Sequence, residues 1–326
     1  MDRDPMMTAG NDVGQWLRPV LTPDEYTAGA ARGELFERAG SVVRPARKLS
    51  QLMQRRPPGI TGHQWSSAIR TDLDFVVGAA DSYAPTFVLL LVDPAARTAD
   101  AQRGDRMTNA VCEVVGLNLL RIESATLRRA GHGRRIVEYV IDARAFRDAA
   151  PPEPAVATTG TGHPTPTEAA LGYRDIVGRL PDGRSGFVND LGAIARAAAV
   201  EAYVDRQITD PIIRGLHVEW VDGAAEGWAW LRVDAQRYLF ERVRLWPHGF
   251  SCGIEPGRLA EDLAVTAIGE RLKTRDLTGS TLRDRAGLAR DLDGLRSCRA
   301  EMTGPFAFEH VSFAQSEQPP RTTPDP

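Results

Sequence analysis

Asp74 heads the apolar run Asp-Phe-Val-Val, and Asp93 closes the next one, Thr-Phe-Val-Leu-Leu-Leu-Val-Asp. Carboxylates on neighbouring strands can share a divalent cation and, through it, activate a water. Glu34 and Glu37, upstream on a predicted helix, could add a third oxygen ligand. A second kind of chemistry lies downstream. Between Arg121 and Arg135 the chain holds Arg128, Arg129, His132, Arg134 and Arg135 against one acid, Glu123. Such a run can face phosphate, although a solvated loop face is the commoner use of it. Other chemistries lack their spacing. The six histidines show no H-x-x-x-H or H-E-x-x-H pattern, and neither a Walker loop nor a G-x-G-x-x-G follows any strand. Gly183-Arg184-Ser185-Gly186 reads as a turn, not a nucleophile elbow.

The elements that would position these residues are legible in outline. Leu21-Thr22-Pro23-Asp24-Glu25 is a helix start: Thr22 caps, Pro23 suits the first helical position, and Glu25 completes a capping box. The helix is expected to run to about Ala39 and stop at Gly40. Residues 41–49 form a short extended piece in which Pro45 argues against an interior strand. Residues 49–55 hold one or two helical turns. Residues 72–77 and 87–92 read as a β-hairpin, 100–115 as a helix ended by Gly116, and 117–122 as the next strand. Their near-continuous apolar character predicts strands covered on both faces, with Phe75, Val88, Leu90, Leu119 and Leu120 buried. Residues 134–141 alternate enough to predict an edge strand.

Composition sets the frame. Of 326 residues, 42% are hydrophobic and 25% charged, which are the proportions of a soluble globular protein. The length allows two domains. The formal charge of -3 offers no overall basic excess to hold nucleic acid. Lys48 and Lys273 are the only lysines, and the Arg, Ala, Gly and Pro content suggests a GC-rich bacterial genome. Cys112, Cys252 and Cys298 are odd in number and far apart, which predicts a reducing, cytoplasmic setting without disulfides or zinc. The first sixteen residues have no apolar core of a secretory signal, and the longest apolar run is too short to span a bilayer, so no membrane partner is expected.

The expected domain plan is a disordered start (1–19), an α/β domain (20–147), a Pro/Thr/Gly linker (148–167), an α+β domain (168–313) and a disordered tail (314–326). In the second half, 168–179 and 187–207 read as helices. Residues 215–221, 227–234 and 236–246 read as strands, 251–254 as a short fourth, and 256–273 as a helix. Trp220, Trp228, Trp230, Tyr238, Phe240 and Trp246 fall in this sheet. An aromatic sheet face can stack bases, but such residues more often form the core of a small sheet.

Residues 21–122, about a third of the chain, resemble a bacterial family catalogued as domain of unknown function number 2726. That family belongs to the PD-(D/E)XK, restriction-endonuclease-like superfamily. The likeness rests on the L-T-P-x-E start at Leu21 to Glu25 and the D-F-V strand at Asp74 to Val76. It continues with the helix opened by Asp105 and ended by Val115-Gly116, and the strand Asn118-Leu119-Leu120-Arg121-Ile122. It implies an α/β core of α-β-β-α-β order with a mixed sheet, followed here by a smaller α+β domain outside the likeness.

The resemblance also implies a site that this chain has lost. The family's acidic I-E-L-D-D run falls on Leu89-Leu90-Leu91-Val92-Asp93, so Leu90 stands in the place of the catalytic Glu. Ala95-Ala96 replace the following S-H, and Thr108 stands where the family tends to have a helix lysine. Asp93 lies three residues past Leu90 and faces the other side unless a bulge turns it. The implied function is a non-catalytic, nuclease-derived binding or scaffold subunit. Asp74, Asp93 and Glu34 are its vestigial acids, and Arg128, Arg129, Arg134 and Arg135 its candidate nucleic-acid contacts. A protein partner is expected and a nucleic acid is open. Two alternatives stand beside it. One is an active Mg²⁺-dependent nuclease with a rearranged site, in which Asp74 would hold the ion; no cofactor is expected otherwise. The other is a protein-interaction module without nucleic acid, which the acidic net charge favours.

Overall fold

The computed structural model describes residues 16–149, 176–179, 185–189, 191–251, 254–275 and 282–303. The fold is mixed α/β and divides into two compact units. Unit 1 comprises Met1–Pro151 and Trp246–Gly253; unit 2 comprises Pro152–Leu245 and Ile254–Pro326. The expected linker falls outside the described residues beyond Ala149, as does the expected tail. Among the described residues no helix is long and apolar enough to cross a membrane.

Unit 1 begins earlier than its sequence pattern suggests. Leu17 is buried and pairs with Met53, and the Arg18 N–H donates to the Leu52 carbonyl. Four apolar residues in six positions (Trp16, Leu17, Val20, Leu21) carry no periodicity, so the segment looks like a tail while acting as core. Helix α1 (Pro23–Ala31) starts as expected, with the Thr22–Glu25 capping box formed in both directions. It stops eight residues short of the expected end. Gly33 takes φ +66°, its N–H donates to the Ala30 carbonyl, and the Glu34 N–H reaches back to Gly29. This pair of bonds is a Schellman motif. Leu35 then folds over Gly29, where an added Cβ would lie 2.8 Å from the leucine side chain.

The chain continues as β1 (Phe36–Arg38) and β2 (Ser41–Lys48), followed by α2 (Leu49–Leu52) and α3 (Gly62–Ala68). Contrary to expectation, β2 is an interior strand, lying between β1 and β3 (Asp72–Ala79). It tolerates Pro45 because β1 reaches only to the Phe36–Val43 pair, so β2 has one neighbour from Arg44 onward. Strand β4 (Pro85–Val92) forms the expected hairpin with β3. Helix α4 (Ala99–Val115) ends at Gly116 in the left-handed conformation, φ +69°, and leads into β5 (Asn118–Glu123), parallel to β4. The order within unit 1 is β1-β2-β3-β4-β5.

Phe87 to Leu91 are all buried, as a strand covered on both faces requires. Val76, Val88, Leu90 and Leu119 pack with Val111, Cys112 and Val115 of α4. Phe75 is only half-buried, against expectation, and lies against Gly133. After β5 come α5 (Ala125–Arg129) and α6 (Gly133–Ala149), which packs against β1 and β3. The edge strand expected at 134–141 is therefore helix. Ile136, Val137, Val140 and Ala143 are buried at helical spacing, and Arg134 pairs with Glu138 one turn on. An eight-residue window shows too little of that period to separate it from alternation.

Unit 2 opens with a two-stranded pair, β6 (Ile176–Arg179) and β7 (Ser185–Asn189), and then α7 (Ala193–Val204). The helix expected at 168–179 is strand over Ile176–Arg179, with 168–175 outside the described residues, and the one expected at 187–207 is helix only over Ala193–Val204, its start lying in β7. Strands β8 (Arg214–Trp220), β9 (Ala225–Arg232) and β10 (Arg237–His248) pair antiparallel in sequence order. Helix α8 (Pro256–Lys273) is as expected and almost wholly buried. It lies directly on β9, since a Cβ on Gly227 would come within 2.1 Å of the Ala260 backbone. No expectation covers β11 (Leu282–Asp284), α9 (Arg285–Ser297) or β12 (Met302–Thr303). Leu288, Leu292 and Leu295 of α9 bury Trp228, Trp230, Tyr238 and Phe240, so these four aromatics are core. Ser251 and Ile254 are not in a strand.

Candidate functional site

The pairing of β3 with β4 ends at Phe75 and Leu89, and the next residues on each strand are Asp74 and Leu90. Beyond this point the ladder is replaced by a side chain. The Leu91 N–H donates to Asp74 Oδ2 at 2.6 Å. Arg128, at the end of α5, donates from its guanidinium to the Leu91 carbonyl. Both polar groups of one strand residue are thus satisfied by two charged side chains distant in sequence. Burial raises the Asp74 carboxyl above the usual carboxylate range; the Leu91 hydrogen bond and the Arg128 charge oppose the rise, and Asp72 adds to it. Leu90, 7% exposed, belongs to the apolar cluster with Val76 and Val88.

The other candidate acids are engaged elsewhere. Asp93 Oδ1 accepts the Ala95 N–H at 2.9 Å and caps the short 3₁₀ turn Pro94–Ala96. Glu34 is not on α1: it follows Gly33 in the turn and forms a two-pronged pair with Arg32, at 2.7 and 2.9 Å. Glu37 lies on β1 and accepts the Tyr26 hydroxyl at 2.6 Å. Among the described residues no group of three or more His, Cys, Asp or Glu side chains comes together as a metal ion would require. Mg²⁺ demands several oxygen ligands in octahedral geometry. One half-buried carboxylate already bonded to a backbone N–H beside a leucine does not fit that requirement.

Thr108 is buried and bonds Thr71 Oγ1 at 2.9 Å and the Gly104 carbonyl at 3.1 Å. Asp105 holds Arg121 at 3.2 Å and Arg97 at 3.8 Å; Arg97 also meets Glu123 at 2.6 Å and stacks over Trp246. Arg121 is 2% exposed, and its burial lowers the guanidinium pKa against the pull of Asp105. This ion-pair network ties α4 to β5, and the sequence carries no sign of it beyond the residue types.

The four arginines lie on α5 and α6 rather than in a loop. Arg128 and Arg134 are held by the fold, the latter by Glu138 at 2.9 Å and by stacking over Phe36. Arg129 is exposed and Arg135 half-buried, and among the described residues neither has an ion-pair partner. His132 is buried in the turn between the helices.

No family model matches this chain, and neither does any curated protein or solved structure.

Proposed function

We propose that unit 1 is a nuclease-derived α/β core of the PD-(D/E)XK kind, without metal-dependent cleavage, that acts as a binding or scaffold subunit. One observation carries the reading. The Asp74 carboxylate, in the place of a metal ligand, is occupied by the Leu91 N–H, with Leu90 beside it and Asp93 bound into its own turn. Such a core keeps the sheet and loses the ion. Its ligand is nucleic acid, met by Arg129 and Arg135 as phosphate contacts. The protein-interaction reading, without nucleic acid, is second and rests on the net charge of -3.

Fluorescence anisotropy of the full chain with labelled duplex DNA, single-stranded DNA and RNA over a salt series tests the ligand. The expected result is binding that weakens steadily as salt rises. Absence of binding to all three at low salt would remove nucleic acid from the reading and leave a protein partner.

A further inference from the structure

Helix α7 is apolar on the face it buries and also on the face it exposes. Ala195, Ala198, Ala199 and Ala202 turn inward, and the contact is close: a Cβ on Gly269 of α8 would lie 2.6 Å from Ala195. The outward residues include Ile194, Val200, Tyr203 and Val204, exposed by 39%, 54%, 48% and 71%. They are four of the seven large exposed hydrophobics among the described residues, all on one helix of 12 residues. A helix apolar all round is ordinarily covered on both sides.

We infer that the outer face of α7 pairs with α7 of a second copy of this chain, the two helices running parallel about a twofold axis. The spacing is that of a two-helix seam. Ala193, Ala197, Val200 and Val204 follow one another at four, three and four residues, and all four are exposed. Charge supports a copy of the same chain over a foreign helix. Arg196 and Glu201 flank the seam on opposite sides, five residues apart. In a parallel pair that offset sets each Arg196 against the Glu201 of the other helix, twice by symmetry. An antiparallel pair would set like flanks against each other.

Sedimentation velocity of the full chain over a concentration series reads the association directly. The wild type is expected to form a dimer. Val200→Glu should give monomer, and at a concentration too low for the wild type to pair its circular-dichroism melting curve should match that of the wild type, because Val200, 54% exposed, has no part in the fold's own core. Arg196→Glu and Glu201→Arg should each weaken the dimer at least tenfold, and the double variant should associate more tightly than either. A wild type that stays monomeric at every concentration would overturn the inference and leave the face to a different protein. A dimer indifferent to Val200→Glu, or a double variant no tighter than the single ones, would overturn it as well.

Discussion

Asp74 and Arg128 hold the same residue, Leu91, from opposite polar ends: the carboxylate accepts its N–H and the guanidinium donates to its carbonyl. The two side chains stand at the head of β3 and the end of α5. Together they take over from the β3–β4 ladder where it stops. This arrangement gives Asp74 a structural task, in the place that the proposed nuclease ancestry would assign to a metal ligand.

Removing the acceptor leaves the Leu91 N–H without its partner. Asp74→Ala is expected to cost about 1–3 kcal/mol of stability, and Asp74→Asn, which keeps a carbonyl oxygen in reach, less. Urea denaturation of the two variants beside the wild type decides this. Equal losses would show that the hydrogen bond contributes nothing.

The same carboxyl shapes the pH dependence. Its folded pKa is raised, so the folded state binds the proton more tightly than the unfolded chain. Its contribution to stability is most favourable in acid, where both states are protonated. That contribution declines as pH rises from the ordinary carboxylate range through the raised folded value. Asp74→Asn should remove this decline from the curve of stability against pH, measured by denaturation at fixed ionic strength. An unchanged slope would count against burial as the dominant influence on Asp74.

Leu90→Glu restores the acid that the resemblance says is missing, but places it among Val76, Val88 and Leu119. The buried charge is expected to cost several kcal/mol. Thermal melting should fall sharply, recover in part with Mn²⁺, and bring no cleavage. A variant as stable as wild type without metal would mean that the position is wetter than its 7% exposure indicates.

The arginines should separate by role. Arg129→Ala and Arg135→Ala should weaken nucleic-acid binding for every sequence alike, leave melting unchanged, and each reduce the salt slope by about 1. Arg128→Ala should also lower stability, by about 1–2 kcal/mol, through the lost bond to Leu91. Binding and melting measured on the same preparations distinguish the two groups.

Two glycines of unit 2 offer opposite outcomes. Gly227→Ala drives a methyl group into the Ala260 backbone and should cost about 3 kcal/mol or more. Gly294→Ala, on α9 with open space around it, should stabilise by about 0.5–1 kcal/mol. Chemical denaturation of both tests the packing of α8 and α9 in one experiment.

Local signals were readable in the chain. The Thr22–Glu25 box, the Gly116 stop and the unbroken apolar run of β4 each act within a few residues, and each lies where its residues predict. The early end of α1 was also within reach, because Arg32-Gly33 can form a left-handed stop as well as Ala39-Gly40. What escaped depends on partners distant in sequence. Pro45 is acceptable in β2 only because β1 is three residues long. Residues 134–141 are helical because α6 continues to Ala149. The link between Asp74 and Arg128 runs through the N–H and carbonyl of Leu91, and backbone donors and acceptors leave no mark on residue identity.

The proposal that unit 1 does not cleave nucleic acid is put to the test by incubating the purified full chain with DNA and RNA, single- and double-stranded, in Mg²⁺ and in Mn²⁺. Intact substrates are expected, identical for wild type and Asp74→Ala. Metal-dependent cleavage by the wild type that disappears in Asp74→Ala would contradict it, and would make Asp74 a metal ligand in a working nuclease.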